Sequence, residues 1–144
     1  MSSPAVRAAI RDQLAQHWTA TPWFDLSDYQ SLDDLPADSA SSILLVQFAF
    51  AVERIETIAA PELHSWNETG TIYFHLLAPV GDPSGPTLAL GEQLRPLFKG
   101  KRFGRTVVEA CDPFTDMEGA AIKLDGKWHG WSSAVSYYQI ICGD

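Results

Sequence analysis

The sequence predicts an α+β fold: a mostly antiparallel or mixed sheet of four to five strands, with two helices packed on one face. Two segments of helical period, residues 3–18 and 86–98, alternate with runs of strand period, and an Asp125-Gly126 hairpin dipeptide precedes the last run. The order reads helix, strand, strand, helix, strand, strand, strand, without an internal repeat. At 144 residues one domain can bury its own core, so 1–144 is read as a single unit.

In the first helix Ser3 is placed to cap free N–H groups and Pro4 suits the first helical position. Val6, Ile10, Leu14 and Trp18 recur every four residues on one face, with Arg7, Arg11 and Asp12 elsewhere. From 19 to 42 periodicity is lost. That stretch holds Asp25, Asp28, Asp33, Asp34 and Asp38 with two Pro and five Ser, and it reads as a long acidic loop with a helical turn near 31–35. A connection of this length inside a domain marks either a partner-binding segment or a solvated loop.

Residues 42–57, "SILLVQFAFAVERIET", read as the first strand. Phe48, Phe50 and Val52 alternate with Gln47, Ala49, Ala51 and Glu53, and the alternation runs on as in a long strand that leaves the core. In the second strand, ending at Pro79 and Gly81, Ile72, Phe74 and Leu76 face one way and Tyr73, His75 and Leu77 the other. The second helix takes Ser84 or Gly85 as cap, Leu90, Leu94, Leu97 and Phe98 as its apolar stripe, and Gly100 as its stop, with Pro96 kinking or ending its last turn. "RTVVEAC" is the third strand, closed by Pro113. A short strand before Asp125-Gly126 and a long one after it complete the sheet.

The formal net charge of −8, from 18 acidic and 10 basic side chains, repels non-specific nucleic acid overall, so any such contact would be local. A composition 46% hydrophobic and 19% charged excludes an acidic disordered tail. Cys111 and Cys142 offer neither zinc spacing nor a disulfide framework and are expected as small buried residues near strand ends. No basic-apolar leader is seen and no apolar run approaches ~18 residues, so a soluble, unexported product is expected, with Asn67-Glu68-Thr69 a chance sequon.

Catalytic patterns are missing. His17, His64, His75 and His129 are scattered, and "GWSSA" lacks the second glycine of a nucleophile elbow. "GKRFG" follows a helix instead of preceding one and lacks the Gly-Lys-Ser/Thr ending of a phosphate loop. Neither Asp33-Asp34 nor Asp112 with Asp116 and Glu118 has calcium-loop spacing. No catalytic residue, cofactor or metal is expected, and the chain is not expected to be an enzyme. The competing class is a small enzyme or ligand-binding domain using His75, Tyr73 and Glu109 in a pocket on the sheet.

Half of the ten Lys and Arg residues fall between 95 and 105: Arg95, Lys99, Lys101, Arg102 and Arg105. Three readings stand. The charges can complement the negative end of the preceding helix, each contributing about 0.3–1 kcal/mol. They can meet the acidic Asp25 to Asp38 stretch of a neighbouring copy. Or they can touch DNA, which becomes effective when a ring pools them, without sequence readout.

Four stretches in order, "ETGTIYFHLLAPVG", "LALGEQLRPLFKGKRFG", "VVEACDPF" and "DGKWHGWSSAVSYYQ", resemble the tail terminator-like proteins of tailed bacteriophages, relatives of the phage lambda minor tail protein U. The matching positions are Glu68-x-Gly70 entering a strand, a helix ending in "LF", a cation and "GKRF" around Gly100, and the Trp128 to Gly130 step that opens the last strand. The resemblance covers roughly 45–140; the acidic segment and Pro96 depart from it. It implies an α+β protomer that forms a homo-hexameric ring, caps the tail tube, stops polymerisation of the tube protein and presents the surface for head-completion proteins. Packaged double-stranded DNA would pass through its centre, and the protein would sit at the tail-neck junction of the virion after assembly in the host cytoplasm, with no membrane partner. A neck or head-completion connector of the same region is the related alternative.

Overall fold

Ser3 accepts from the Val6 N–H and opens α1 (Pro4–His17), with Pro4 at the first helical position as its fixed φ favours. Val6, Ile10 and Leu14 are wholly buried along one stripe, and the Trp18 N–H closes the helix on the Leu14 carbonyl. The computed structural model describes residues 2–29, 41–55, 65–81, 83–116 and 128–142. The expected helical turn near 31–35, Asp33, Asp34, Asp38 and the strand and turn before Trp128 lie outside them.

The sheet has seven strands, where the sequence suggested four to five. They are β1 (Trp23–Asp25), β2 (Ile43–Ile55), β3 (Ser65–Pro79), β4 (Arg102–Phe103), β5 (Thr106–Cys111), β6 (Thr115–Asp116) and β7 (Trp128–Cys142). Their order is β1-β2-β3-β7-β5-β4, with β6 on the same edge of β7 as β5. The additional strands β1, β4 and β6 are two or three residues long, too short to show a period in sequence. β1 runs parallel to β2 and every other pair is antiparallel, so the sheet is mixed.

β1 also corrects the reading of 19–42 as a loop throughout. The Trp18 indole N–H donates to Thr21 Oγ1 at 2.9 Å, Trp23 lies opposite Leu44, and a 3-10 turn, Leu26–Asp28, follows directly.

One sheet face carries the main core. Val6, Ile10, Leu14 and Trp18 from α1, and Leu94 from α2 (Ser84–Leu94), pack with Leu44, Val46, Ile72, Phe74, Leu76, Val108, Val135 and Tyr137. Each large side chain so buried contributes about 1.5–3 kcal/mol, enough to set which face the helices cover. A smaller cluster, Ile43, Leu45, Leu77 and Trp128, sits on the opposite face under Phe24, Leu26 and Tyr29.

α2 starts earlier than expected. Pro83 precedes it without a side-chain cap, and Pro86 is its third residue, where a missing N–H costs nothing because the first four have no intrahelical acceptor. The helix ends at Leu94 in a 3-10 turn, Arg95–Leu97, that holds Pro96. Gly91 faces Phe114 so closely that a Cβ there would stand 2.6 Å from the ring.

β2 differs from its expected facing in a way that matters for the surface. Phe48 pairs with Ile72 but Phe50 pairs with Thr71, so Ala49 is an extra residue, a β-bulge. Beyond it the alternation is inverted. Phe48 stays on the helix-covered face, where the Arg7 guanidinium sits 4.8 Å from its ring centroid. Phe50 and Val52 turn to the other face and are 53% and 45% exposed. Strict alternation placed all three together; the bulge separates them.

Candidate functional site

Residues 98–108 form the most basic feature of the described surface. Phe98 is wholly buried against Phe74, with ring centroids 4.9 Å apart, and anchors the chain as it leaves α2. Gly100 then takes φ +68, a left-handed conformation that a side chain would strain. β4 and β5 pair Arg102 with Val107 and Phe103 with Thr106, leaving a two-residue turn in which Gly104 has φ +62. The Lys101 N–H donates to the Phe98 carbonyl and the Val108 N–H to the Lys101 carbonyl, fixing the hairpin to the sheet.

Four of the five expected basic residues, Lys99, Lys101, Arg102 and Arg105, are exposed on this hairpin. Arg95 is set apart from them. Its Nε donates to the Cys111 carbonyl at 2.9 Å and its guanidinium pairs with Glu92 at 3.3 Å, so it ties the end of α2 to β5. Arg102 Nε donates to the Gly104 carbonyl at 2.8 Å and rigidifies the turn. Glu92, Arg95, Pro96, Lys99 and Lys101 line an open hollow of about 360 Å³ beside it.

The acidic candidates are used differently from the expectation. Asp25 is 2% exposed and sits between Arg7 and Arg11, each 3.2 Å from Oδ2, while Ser27 donates its N–H and hydroxyl to Oδ1 at 2.9 and 2.7 Å. Its charge is consumed inside the chain, which corrects its assignment to a neighbour's basic turn. Burial pushes this carboxyl up, but the hydrogen bonds from Ser27 and Arg7 and the Arg7 charge outweigh it and hold the pKa below 3.8. Asp28 is exposed and lies 3.5 Å from Arg11.

Glu68 and Gly70 belong to a buried clasp that the sequence did not reveal. Tyr137 donates to Glu68 Oε2 at 2.8 Å, and the Ser3 N–H donates to the same oxygen at 3.3 Å. With its one proton committed, the phenol oxygen accepts from the Ser2 hydroxyl at 2.7 Å, while Ser3 Oγ donates to Gln139 Oε1 at 3.0 Å. Burial, partly offset by Ser2 and reinforced by Glu68, raises the Tyr137 pKa above its usual 10.0. Gly70 makes room for the ring. The clasp joins the start of α1 to β3 and β7. Trp128 is buried in the smaller cluster, and Gly130 is buried opposite Leu77.

His75 is 3% exposed, with Nε2 donating to Gln47 Oε1 at 2.8 Å and Nδ1 accepting from the Ser132 hydroxyl at 2.6 Å. Burial lowers its pKa from 6.5 to about 4. Tyr73 stacks on it with centroids 6.0 Å apart. Tyr73 and Ser132 line an open hollow of about 380 Å³ with Asp112, Pro113, Thr115 and Ala134. Glu109 is the extra residue of a second bulge, in β5, and does not line it. Of the three residues of the competing enzymatic reading, Tyr73 and His75 are thus adjacent and Glu109 does not join them at the hollow, and both His75 nitrogens are committed to neighbours.

Among the described residues no cluster of three or more His, Cys, Asp or Glu could hold a metal ion, and no helix is long and apolar enough to cross a membrane. Cys111 is buried, and burial raises its thiol pKa. No family model matches the chain, and no curated protein matches it. Among solved structures, one protein chain superposes with a TM-score of 0.55 at 19% identity, covering 100% of this chain and 99% of that one. That likeness establishes a shared fold.

Proposed function

We propose that this chain is a structural virion protein, a tail terminator-like subunit that closes into a ring, hexameric by resemblance, ends growth of the tail tube and forms the head-joining surface. The observation that carries the reading is the open half of the sheet face opposite the helices. Phe50 and Val52 project there at 53% and 45% exposure, beside the uncharged Thr69, Thr71, Tyr73, Ser136 and Tyr138. Large exposed apolar side chains beside uncharged strand neighbours are characteristic of a surface that a partner covers.

The strand edge beside it supports the same reading. β1 pairs only with residues 44–46 of β2, and the rest of that edge has no strand partner among the described residues. An unpaired edge next to an apolar face lets a neighbouring subunit add both backbone hydrogen bonds and buried area. In a head-to-tail ring each subunit offers two different surfaces, so the face and edge need not be self-complementary.

The test is imaging of the phage particle at subunit resolution, with sedimentation of the isolated protein. A closed ring between tail tube and neck is the expected result. Density for this chain in the neck instead would favour the connector role, and a monomer absent from purified particles would sink both.

A further inference from the structure

Cations whose side chains the structure describes fall into two groups. Arg7, Arg11 and Arg95 each hold a carboxylate of their own chain. Lys99, Lys101, Arg102 and Arg105 all lie on one hairpin, all are exposed, and none forms an ion pair among the described residues. In a chain of net charge −8, where anions outnumber cations, four neighbouring cations that form no ion pair among the described residues are a charge that an external anion can use.

We propose that this hairpin docks on the phosphate backbone of double-stranded nucleic acid, without reading its sequence. Two observations select this partner. At the described end of the acidic stretch the carboxylates are already engaged, Asp25 buried between two arginines and Asp28 shared with Arg11, so they compete weakly for a second copy's hairpin. The hairpin also lacks a stacking surface. Phe103, its one aromatic, packs against the main core with its ring 6.0 Å from Phe98. Single-strand binders stack bases on exposed aromatics, and sequence readers place hydrogen-bonding side chains on a helix or ribbon that enters a groove. A short hairpin with exposed Lys and Arg on and beside it offers charges to phosphates instead. The β4–β5 pairing, the Lys101 and Val108 backbone hydrogen bonds and the Arg102–Gly104 bond hold that hairpin's backbone in shape, so little backbone ordering entropy opposes contact. The inference rests on the ring reading only for how many hairpins act together.

The test uses the full-length protein and a fluorescent DNA duplex of mixed sequence, roughly thirty base pairs long, titrated between about 50 and 200 mM salt. Binding that is indifferent to sequence is expected, with a log–log salt slope near −3.6 for one engaged hairpin, roughly a hundredfold loss over that range. Lys101→Ala with Arg102→Ala should make that slope shallower by about 1.8 and weaken binding at low salt by about tenfold or more, with the far-UV spectrum unchanged. Absence of duplex binding at low salt, binding unchanged in the double variant, or tighter binding to the single strand overturns the proposal. A defect confined to subunit association also overturns it and assigns the hairpin to a protein neighbour. Sedimentation of the same samples reads the ring separately: a monomer that binds duplex sinks the ring and leaves the hairpin's role standing.

Discussion

The ring of Tyr137 lies across Gly70: a Cβ at position 70 would stand 2.5 Å from the phenolic oxygen and 2.5 Å from the Phe50 carbonyl oxygen. The side chain could swing, but the Phe50 carbonyl is backbone in a paired strand and cannot. Gly70→Ala should therefore destabilise the fold by about 1–3 kcal/mol, read as a lower urea midpoint. Tyr137→Phe keeps the packing and removes the proton that Glu68 accepts, at a cost of about 1–3 kcal/mol. Unchanged midpoints in both would refute the clasp.

His75 predicts a pH dependence. Its pKa is about 4 in the folded chain and 6.5 in its ordinary state, so the unfolded chain binds a proton first as pH falls. Stability is complete above pH 6.5, declines as pH falls towards about 4, and levels below that, with a total loss of roughly 3 kcal/mol. Denaturation at stepped pH should show this slope in the wild type and a flatter one in His75→Gln. Equal slopes would mean that His75 is protonated without cost.

Asp25 acts in a more acidic window. Its folded pKa lies below 3.8, so its contribution is complete above 3.8 and is lost as pH falls through the lower folded value. Asp25→Ala removes this contribution at every pH and leaves Arg7 and Arg11 facing each other. Those arginines are partly exposed, at 21% and 42%, so solvent softens the penalty to about 1–3 kcal/mol at neutral pH. A thermal melt that leaves Tm unchanged in the variant would contradict the paired geometry.

Gly91 in the interior of α2 should not tolerate alanine. Alanine is favoured over glycine in a helix interior by about 1 kcal/mol. At Gly91, however, the Phe114 ring stands 2.6 Å from the added Cβ, and overpacking of about 1–3 kcal/mol outweighs that gain. Gly91→Ala should lower Tm, and an unchanged or raised Tm would contradict the α2–Phe114 packing.

Phe50→Ser tests the open face. More than half of this side chain is exposed in the single chain, at 53%, so the change should alter folding by under about 1 kcal/mol. If the face is a subunit contact, sedimentation should show weakened association with an unchanged far-UV spectrum. Full association would remove the face from the interface.

Long periodic runs were the legible part of this fold. The α1 stripe of Val6, Ile10 and Leu14, the facing of Ile72, Phe74 and Leu76, and the alternation of β7 follow from repeats of 3.6 and 2. The illegible part has three physical causes. β1, β4 and β6 are too short to show a period, so their pairing depends on tertiary contacts. A bulge inverts facing without leaving a compositional mark, as Ala49 shows. Long-range polar partners such as Ser2 with Tyr137 or Arg7 with Asp25 leave no local trace. The basic hairpin was visible as a cluster, but only the structure separated Arg95, tied to Glu92 and Cys111, from the four cations that project.

The extra residue at Ala49 makes β2 two devices in one strand, and this bears on how the chain tolerates change in length. Ala49 is the one residue between Phe48 and Phe50 without a partner across β3, so deleting its codon leaves Phe48 opposite Ile72, Phe50 opposite Thr71 and Val52 opposite Thr69. Phe50 and Val52 would keep their side of the sheet, and Tyr137, Glu68 and Ser2 would keep theirs. A triplet deletion here is therefore one that the strand can absorb, and lineages of such a protein should lose residue 49 more readily than its paired neighbours.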